Sequence, residues 1–174
     1  RRQQGKAKSL VAALQSTQIM VQHFIAAGPE PFFRVLGAVV PMLEERRAEV
    51  ASAAFACVTT AVDALGPGIT PQYPRVVSPA IRAVRSAMGY EEARAFGVLP
   101  SALRFLSTAV ERLGPLVVVD LPVIIEVMMM PVPYDADMDV HEAVSRLPQV
   151  IVRGVPPRLL LPEVLGAGGG GGGG

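Results

Sequence analysis

The residues of this chain with the most chemistry to offer are two histidines, one cysteine, three consecutive methionines and three closely spaced arginines. His23 and His141 stand far apart, and neither has a partner at metal-binding spacing. His141 does lie near Asp135, Asp137, Asp139 and Glu142. That stretch lacks the glycine and the spacing of a calcium loop, so it reads as a solvated acidic loop. The Gly-x-Ser-x-Gly turn that would expose a nucleophilic serine is missing. The glycine run at 168–174 is followed by neither Lys-Ser/Thr nor a helix, so it makes no phosphate loop. Cys57 is the single cysteine, which excludes an internal disulfide and a cysteine metal cage. It sits in an apolar run and reads as a small buried hydrophobe. These residues point away from an enzyme, and no cofactor, metal or small-molecule substrate is expected.

Two sets remain. Met128, Met129 and Met130 suggest either an adaptable apolar groove or, more simply, the packed end of an inner helix. Arg75, Arg82 and Arg85 fall on one helix if it continues through Pro79. Arg82 and Arg85 are then neighbours one turn apart. They are the candidate RNA or partner contacts, able to track phosphates; the alternative is a solvated helix face. The formal net charge of +1 gives no global nucleic-acid signal. The stretch from Arg75 to Arg112 is nonetheless rich in arginine.

The elements that must position these residues come from a repeat. TAVDALGP, Thr60 to Pro67, returns as TAVERLGP, Thr108 to Pro115, 48 residues later. In the same register Pro74 pairs with Pro122, and Val76-Val77 with Ile124-Ile125. A weaker third copy places Gly154, Leu161 and Pro162 opposite Gly114, Leu121 and Pro122. Gly28-Pro29 would be a degenerate first copy. A period of 38 to 48 residues, carrying a helix end, a Gly-Pro turn and a second apolar run, predicts an all-α protein. Its architecture would be an α-solenoid of HEAT- or armadillo-type helix pairs. The repeat-defining residues are Leu65, Gly66, Pro67 and Pro74, then Leu113, Gly114, Pro115 and Pro122, then Gly154 and Pro162. Glycine is expected to end the first helix in a left-handed conformation, and proline forbids its continuation.

Along the chain, residues 1–8 read as a polar lead-in and Ser9 as the cap of a helix to about Ala27. Its apolar side would carry Leu10, Leu14, Val21 and Ile25. A second helix follows from Pro31 to about Arg46, kinked or divided at Pro41. Ala48 to Leu65 is the clearest helix, with Leu65 and Leu113 expected in the core. The next helix begins at Pro71, Pro74 or Pro79, and Gly89 ends it. Gly97 and Pro100 are expected to break the helix that ends at Leu113. Leu116 to Val119 has strand-like composition, but the register makes it a turn. Asp120 would cap a helix with Pro122 in its first turn. Pro148 interrupts a helix from Val140 to Arg153. The helical repeats thus fill 9–165, as about 9–46, 47–89, 90–131 and 136–165, and 166–174 is a disordered glycine-rich tail.

The chain is 51% hydrophobic, has a mean hydropathy of +0.41 and lacks Trp. Its apolar mass is Ala, Val and Leu, which suits packed helices. Leu113 to Pro133 is long enough to span a bilayer but contains Asp120, Glu126 and four prolines, so no membrane is expected. No signal peptide is legible, and a chain opening on Arg1-Arg2 reads as part of a longer protein.

The stretch Ala64 to Ile81, ALGPGITPQYPRVVSPAI, resembles a late repeat of the large HEAT-repeat protein family of the eukaryotic small-subunit processome. The carrying positions are Ile69, Pro71, Gln72, Tyr73, Pro74 and Pro79. The end of the chain, from Ser145-Arg146 to Pro156-Pro157-Arg158-Leu159-Leu160-Leu161-Pro162, is similar to that family's basic helix followed by a Pro-Arg-Val-Leu-Leu-Pro run. The likeness covers roughly Val50 to Leu165. Pro148 and the glycine tail depart from it. The resemblance implies a nucleolar scaffold, with no catalytic residues to carry over. Its role would be 18S pre-rRNA processing, among other processome proteins and in reach of snoRNA or pre-rRNA. An importin-like nuclear transport receptor, or another HEAT-repeat scaffold, is the alternative. The basic second helix of the best repeat fits poorly with the acidic inner helices an importin would use.

Overall fold

The computed structural model describes residues 2–24, 30–88, 93–132 and 138–160. Every element among them is helical: α1 (Arg2–Phe24), α2 (Glu30–Val39), α3 (Ala48–Leu65), α4 (Tyr73–Met88), α5 (Ala93–Leu113), α6 (Leu121–Met129) and α7 (Met138–Gly154). A helical turn follows at 157–160. Three 3-10 helices join them, Val40–Glu44, Gly66–Ile69 and Gly114–Asp120. Ile25, Gly28-Pro29, Gly89, Asp135, Asp137, Leu161, Pro162 and the glycine tail lie outside the described residues.

The odd helices pack in chain order, α1 on α3, α3 on α5 and α5 on α7. The even ones do likewise, with the 3-10 helix after α2 reaching α4, and α4 reaching α6. The core runs between the two rows. On α3, Val50, Ala54, Val58 and Ala61 are fully buried. The two alanines let neighbouring backbones approach, and each buried valine contributes on the order of 1.5–3 kcal/mol. Phe55 meets Phe105 of α5 with ring centroids 6.2 Å apart. Helix α3 with its following turn is apolar and long enough to cross a membrane by composition alone. Here it lies between α1 and α5, as the central helix of the odd row.

The 48-residue register reappears in the backbone. Helices α3 and α5 end at Leu65 and Leu113, and 3-10 helices follow both. The next helices then begin at Tyr73 and Leu121, each with proline as its second residue. Gly66 and Gly114 have φ of 51° and 45°. The ψ of Gly66 is −132°, which mirrors extended backbone rather than the left-handed helix of a usual cap. Pro67 is the reason: a residue before proline is pushed to extended ψ, and only glycine combines that with positive φ.

Gly154 differs from the pattern. Val155 separates it from Pro156, and its φ is not positive. A Cβ there would lie 2.7 Å from the Val110 carbonyl oxygen. Its role is the close approach of α7 to α5 rather than a turn.

Several boundaries fall elsewhere than the sequence suggests. Residues 2–8 are helical rather than a lead-in, because they are mostly good helix formers. The Ser9 hydroxyl donates to the Gly5 carbonyl 3.1 Å away, inside the helix, instead of capping it. Helices α4, α5 and α7 run on through Pro79, Pro100 and Pro148. In α5 the Ser52 hydroxyl of α3 donates to the Gly97 carbonyl at 2.8 Å, supporting the turn that Pro100 disturbs. Gly97 keeps that contact close, since a Cβ there would lie 3.0 Å from the Ala48 Cβ. Leu113 is buried as expected, but Leu65 is only half-buried against the core.

Candidate partner-binding surface

Helix α4 does place Arg75, Arg82 and Arg85 on its exposed side, and it is continuous as their alignment requires. Two of them are engaged. Arg82 donates through Nε and Nη2 to Glu44 Oε1, at 3.1 and 2.6 Å. Arg85 donates to Glu126 of α6. Among the described residues, the Arg75 side chain donates to the Gln72 side-chain oxygen, at 3.1 Å, and to no carboxylate. Two of the three arginines of the basic stripe are therefore paired with carboxylates from the helices on either side. A third pair, Arg112 with Asp63 at 2.6 Å, ties α5 to α3 in the other row. All six side chains are roughly half exposed, so each pair is worth at most about 1 kcal/mol.

The histidines are not brought together. His23 bonds to the Ile19 carbonyl of its own helix, 2.8 Å away, and His141 is exposed on α7. Asp139 and Glu142, one turn apart, line a small polar recess of about 130 Å³ between α5 and α7. Arg104, Ser107, Thr108 and Arg146 complete its walls. Among the described residues, no group of three or more His, Cys, Asp or Glu is placed to hold a metal. No local pattern signals this recess, because its two sides come from helices separated by α6.

Tyr73 occupies the position that Leu121 fills in the next copy. Among the described residues, its buried hydroxyl has no hydrogen-bond partner. Burial pushes its pKa far up, and the negative charge of Asp120 pushes it further. Asp120 itself makes no side-chain cap on α6. Burial also pushes the Cys57 thiol up from 9.0 to about 11, as suits an inert core residue.

The methionine triplet divides. Met128 and Met130 are half-buried against the core, and Met129 is 75% exposed. Together with Pro148, Ile151 and Val152 of α7 they line an apolar groove of about 920 Å³. Both readings of the triplet therefore hold in part, one side packed and the other open.

No protein-family model matches the chain. Nor does any curated protein or solved structure.

Proposed function

We propose that this chain is a non-catalytic scaffold segment, a stretch of α-solenoid built from HEAT- or armadillo-type helix pairs. It would act in a small-subunit processome, in the nucleolus, during 18S pre-rRNA processing and early ribosome biogenesis. The observation that carries the scaffold reading is the 48-residue repetition. Leu-Gly-Pro ends two helices, positive-φ glycine turns both corners, and Tyr73-Pro74 and Leu121-Pro122 open the next helices. Stacked helix pairs of this kind present long faces rather than a pocket. The processome assignment rests on the sequence resemblance in Ala64 to Ile81 and Pro156 to Pro162. Its partners would be other processome proteins, with snoRNA or pre-rRNA within reach.

The test is affinity purification of the tagged chain from eukaryotic cells, with sequencing of the crosslinked RNA. Enrichment of 18S precursors and small-subunit assembly proteins is expected. Enrichment of nucleoporins and transport cargo instead would replace this reading with the importin-like one. Arg75→Glu is the informative variant, because Arg82 and Arg85 already face carboxylates. If α4 touches RNA, the variant weakens crosslinking and flattens the salt dependence by about one counterion. If it touches a protein, RNA crosslinking stays while complex incorporation falls.

A further inference from the structure

The edge between α5 and α7 departs from the edge one repeat earlier. On α3, the Thr59 and Thr60 hydroxyls donate to the Phe55 and Ala56 carbonyls, at 2.7 and 3.1 Å. Asp63 of the same helix accepts from Arg112 of α5 at 2.6 Å. The 48-residue register places Ser107, Thr108 and Glu111 at these positions on α5. Among the described residues, none of their three side chains has a hydrogen-bond or ion-pair partner. Ser107 is nonetheless only 8% exposed, set in the wall of the polar recess. Buried hydroxyls are normally bonded. This one lines an opening with its bonding capacity free.

The charges say what would enter. The recess sets Arg104 and Arg146 against Glu111, Asp139 and Glu142, two positive and three negative, so one added cation balances it. Among the described residues none of the five is ion-paired, whereas Arg82, Arg85 and Arg112 all are. Its volume of about 130 Å³ is well below the roughly 300 Å³ at which small-molecule pockets begin, and suits one side-chain head. A guanidinium brings five donors in one plane to carboxylate and hydroxyl acceptors. A second recess of about 130 Å³ adjoins the first, sharing Glu111 and Arg146 and adding Arg153. Its balance is reversed, two positive against one negative. Together the recesses hold three arginines and three carboxylates, which offers no net attraction to a phosphate chain.

The chain's own connections cannot supply the cation. Residues 25–29, 89–92, 133–137 and 161–174 contain no Lys or Arg. Arg2 opens α1, two helices away in the odd row, and Arg1 precedes it. Arg94 stands ten residues before Arg104 on α5, about 15 Å along the helix.

We infer that the α5–α7 edge binds an extended segment of a partner protein, with an arginine in the first recess and an acidic residue in the second. Glu142 and Gln149 line the two recesses two turns apart on α7, about 10 Å. An extended chain covers that distance in about three residues, so the segment carries Arg and Glu or Asp with two residues between them. The inference does not require the processome reading, and either can fail alone.

The probe is a short capped peptide centred on Arg-Thr-Thr-Glu, with a second in the reverse order, since threonine favours extended backbone. Each is titrated into the intact isotope-labelled chain and followed by amide chemical shifts. One order should give saturable shifts at Ser107, Ala143 and Gln149. Glutamine in place of the probe arginine should abolish them at Ser107. Glu142→Gln, at an exposed position, should weaken binding about fivefold. Ser107→Ala removes a hydroxyl that holds nothing in the free chain, so it should weaken binding without lowering the melting temperature. Four outcomes overturn the inference. One is the lack of saturable shifts with either order. Another is equal binding by the glutamine probe, or by both variants. The third is free arginine reproducing the shifts at the same concentration, which would make this a small-molecule site. The last is a uridine oligonucleotide displacing the peptide, which would make the edge an RNA face.

Discussion

Replacing the three repeat glycines by alanine separates two physical causes that look alike in the sequence. At Gly66 a Cβ would meet nothing within 4 Å, so space is not the issue. The cost is the backbone, φ 51° with ψ −132°, a region essentially reserved for glycine. Such strain amounts to about 1–3 kcal/mol. Alanine recovers about 0.4–1 kcal/mol by restricting the unfolded chain. Gly66→Ala should therefore lose about 1–2 kcal/mol, or about 2–8 °C in melting temperature for a chain of this size. At Gly154 the backbone is permissive, but a Cβ would sit 2.7 Å from the Val110 carbonyl oxygen, which cannot rotate away. Gly154→Ala must push α7 off α5, an overpacking cost of about 1–3 kcal/mol. Gly114→Ala combines both, with φ 45° and a Cβ 3.0 Å from the Gly154 carbonyl oxygen, and should be the worst. Melting followed by far-ultraviolet circular dichroism gives the ranking. A double-mutant cycle with Pro67→Ala then isolates the cause. Alanine at 66 should cost less once the proline no longer enforces extended ψ, while the cost at 154 should not change. A Gly66→Ala variant as stable as the parent, or a cost at 66 that ignores Pro67, would refute the backbone argument.

Two further outcomes follow from burial. Leu113→Asp places a carboxylate at a 3% exposed position and should cost about 3 kcal/mol or more, while Leu65→Asp at its half-buried equivalent should cost clearly less; equal losses in urea titrations would contradict the asymmetry. Because the Cys57 thiol is raised to about 11 in the folded chain, the unfolded chain loses that proton first as pH rises. The stability this provides is complete below pH 9.0 and declines from there toward pH 11, and Cys57 should resist iodoacetamide in the native protein until unfolding exposes it.

Helix α3 was legible to the residue, because Val50, Ala54, Val58 and Ala61 keep one face and Gly66 closes it. The segment Leu116 to Val119 shows what register adds: composition alone favoured a strand, and the place of the Gly-Pro turn in the earlier copy identified a non-strand connection. What stayed hidden depends on neighbours. Pro79, Pro100 and Pro148 look like breaks locally, yet packing on adjacent helices carries each helix through. The third-copy glycine matched in spacing but not in cause, since one inserted residue before Pro156 removes the pre-proline constraint. The candidate arginines were read on the correct face of α4. Their carboxylate partners, 38 and 41 residues away, belong to other helices and follow no local rule. The groove and the polar recess arise only where α7 meets helices earlier in the chain.

The row of neighbour contacts also fixes how this molecule would answer a pull. Helix α3 is gripped on both sides, while α1 and α7 each touch one odd neighbour. Tension between the termini should therefore strip the outermost helices first and leave α3 and α5 clasped together last. Each repeat surrendered would release about 40 residues of chain, on the order of 140 Å when fully extended. The protein would lengthen in stages under load rather than rupture at once.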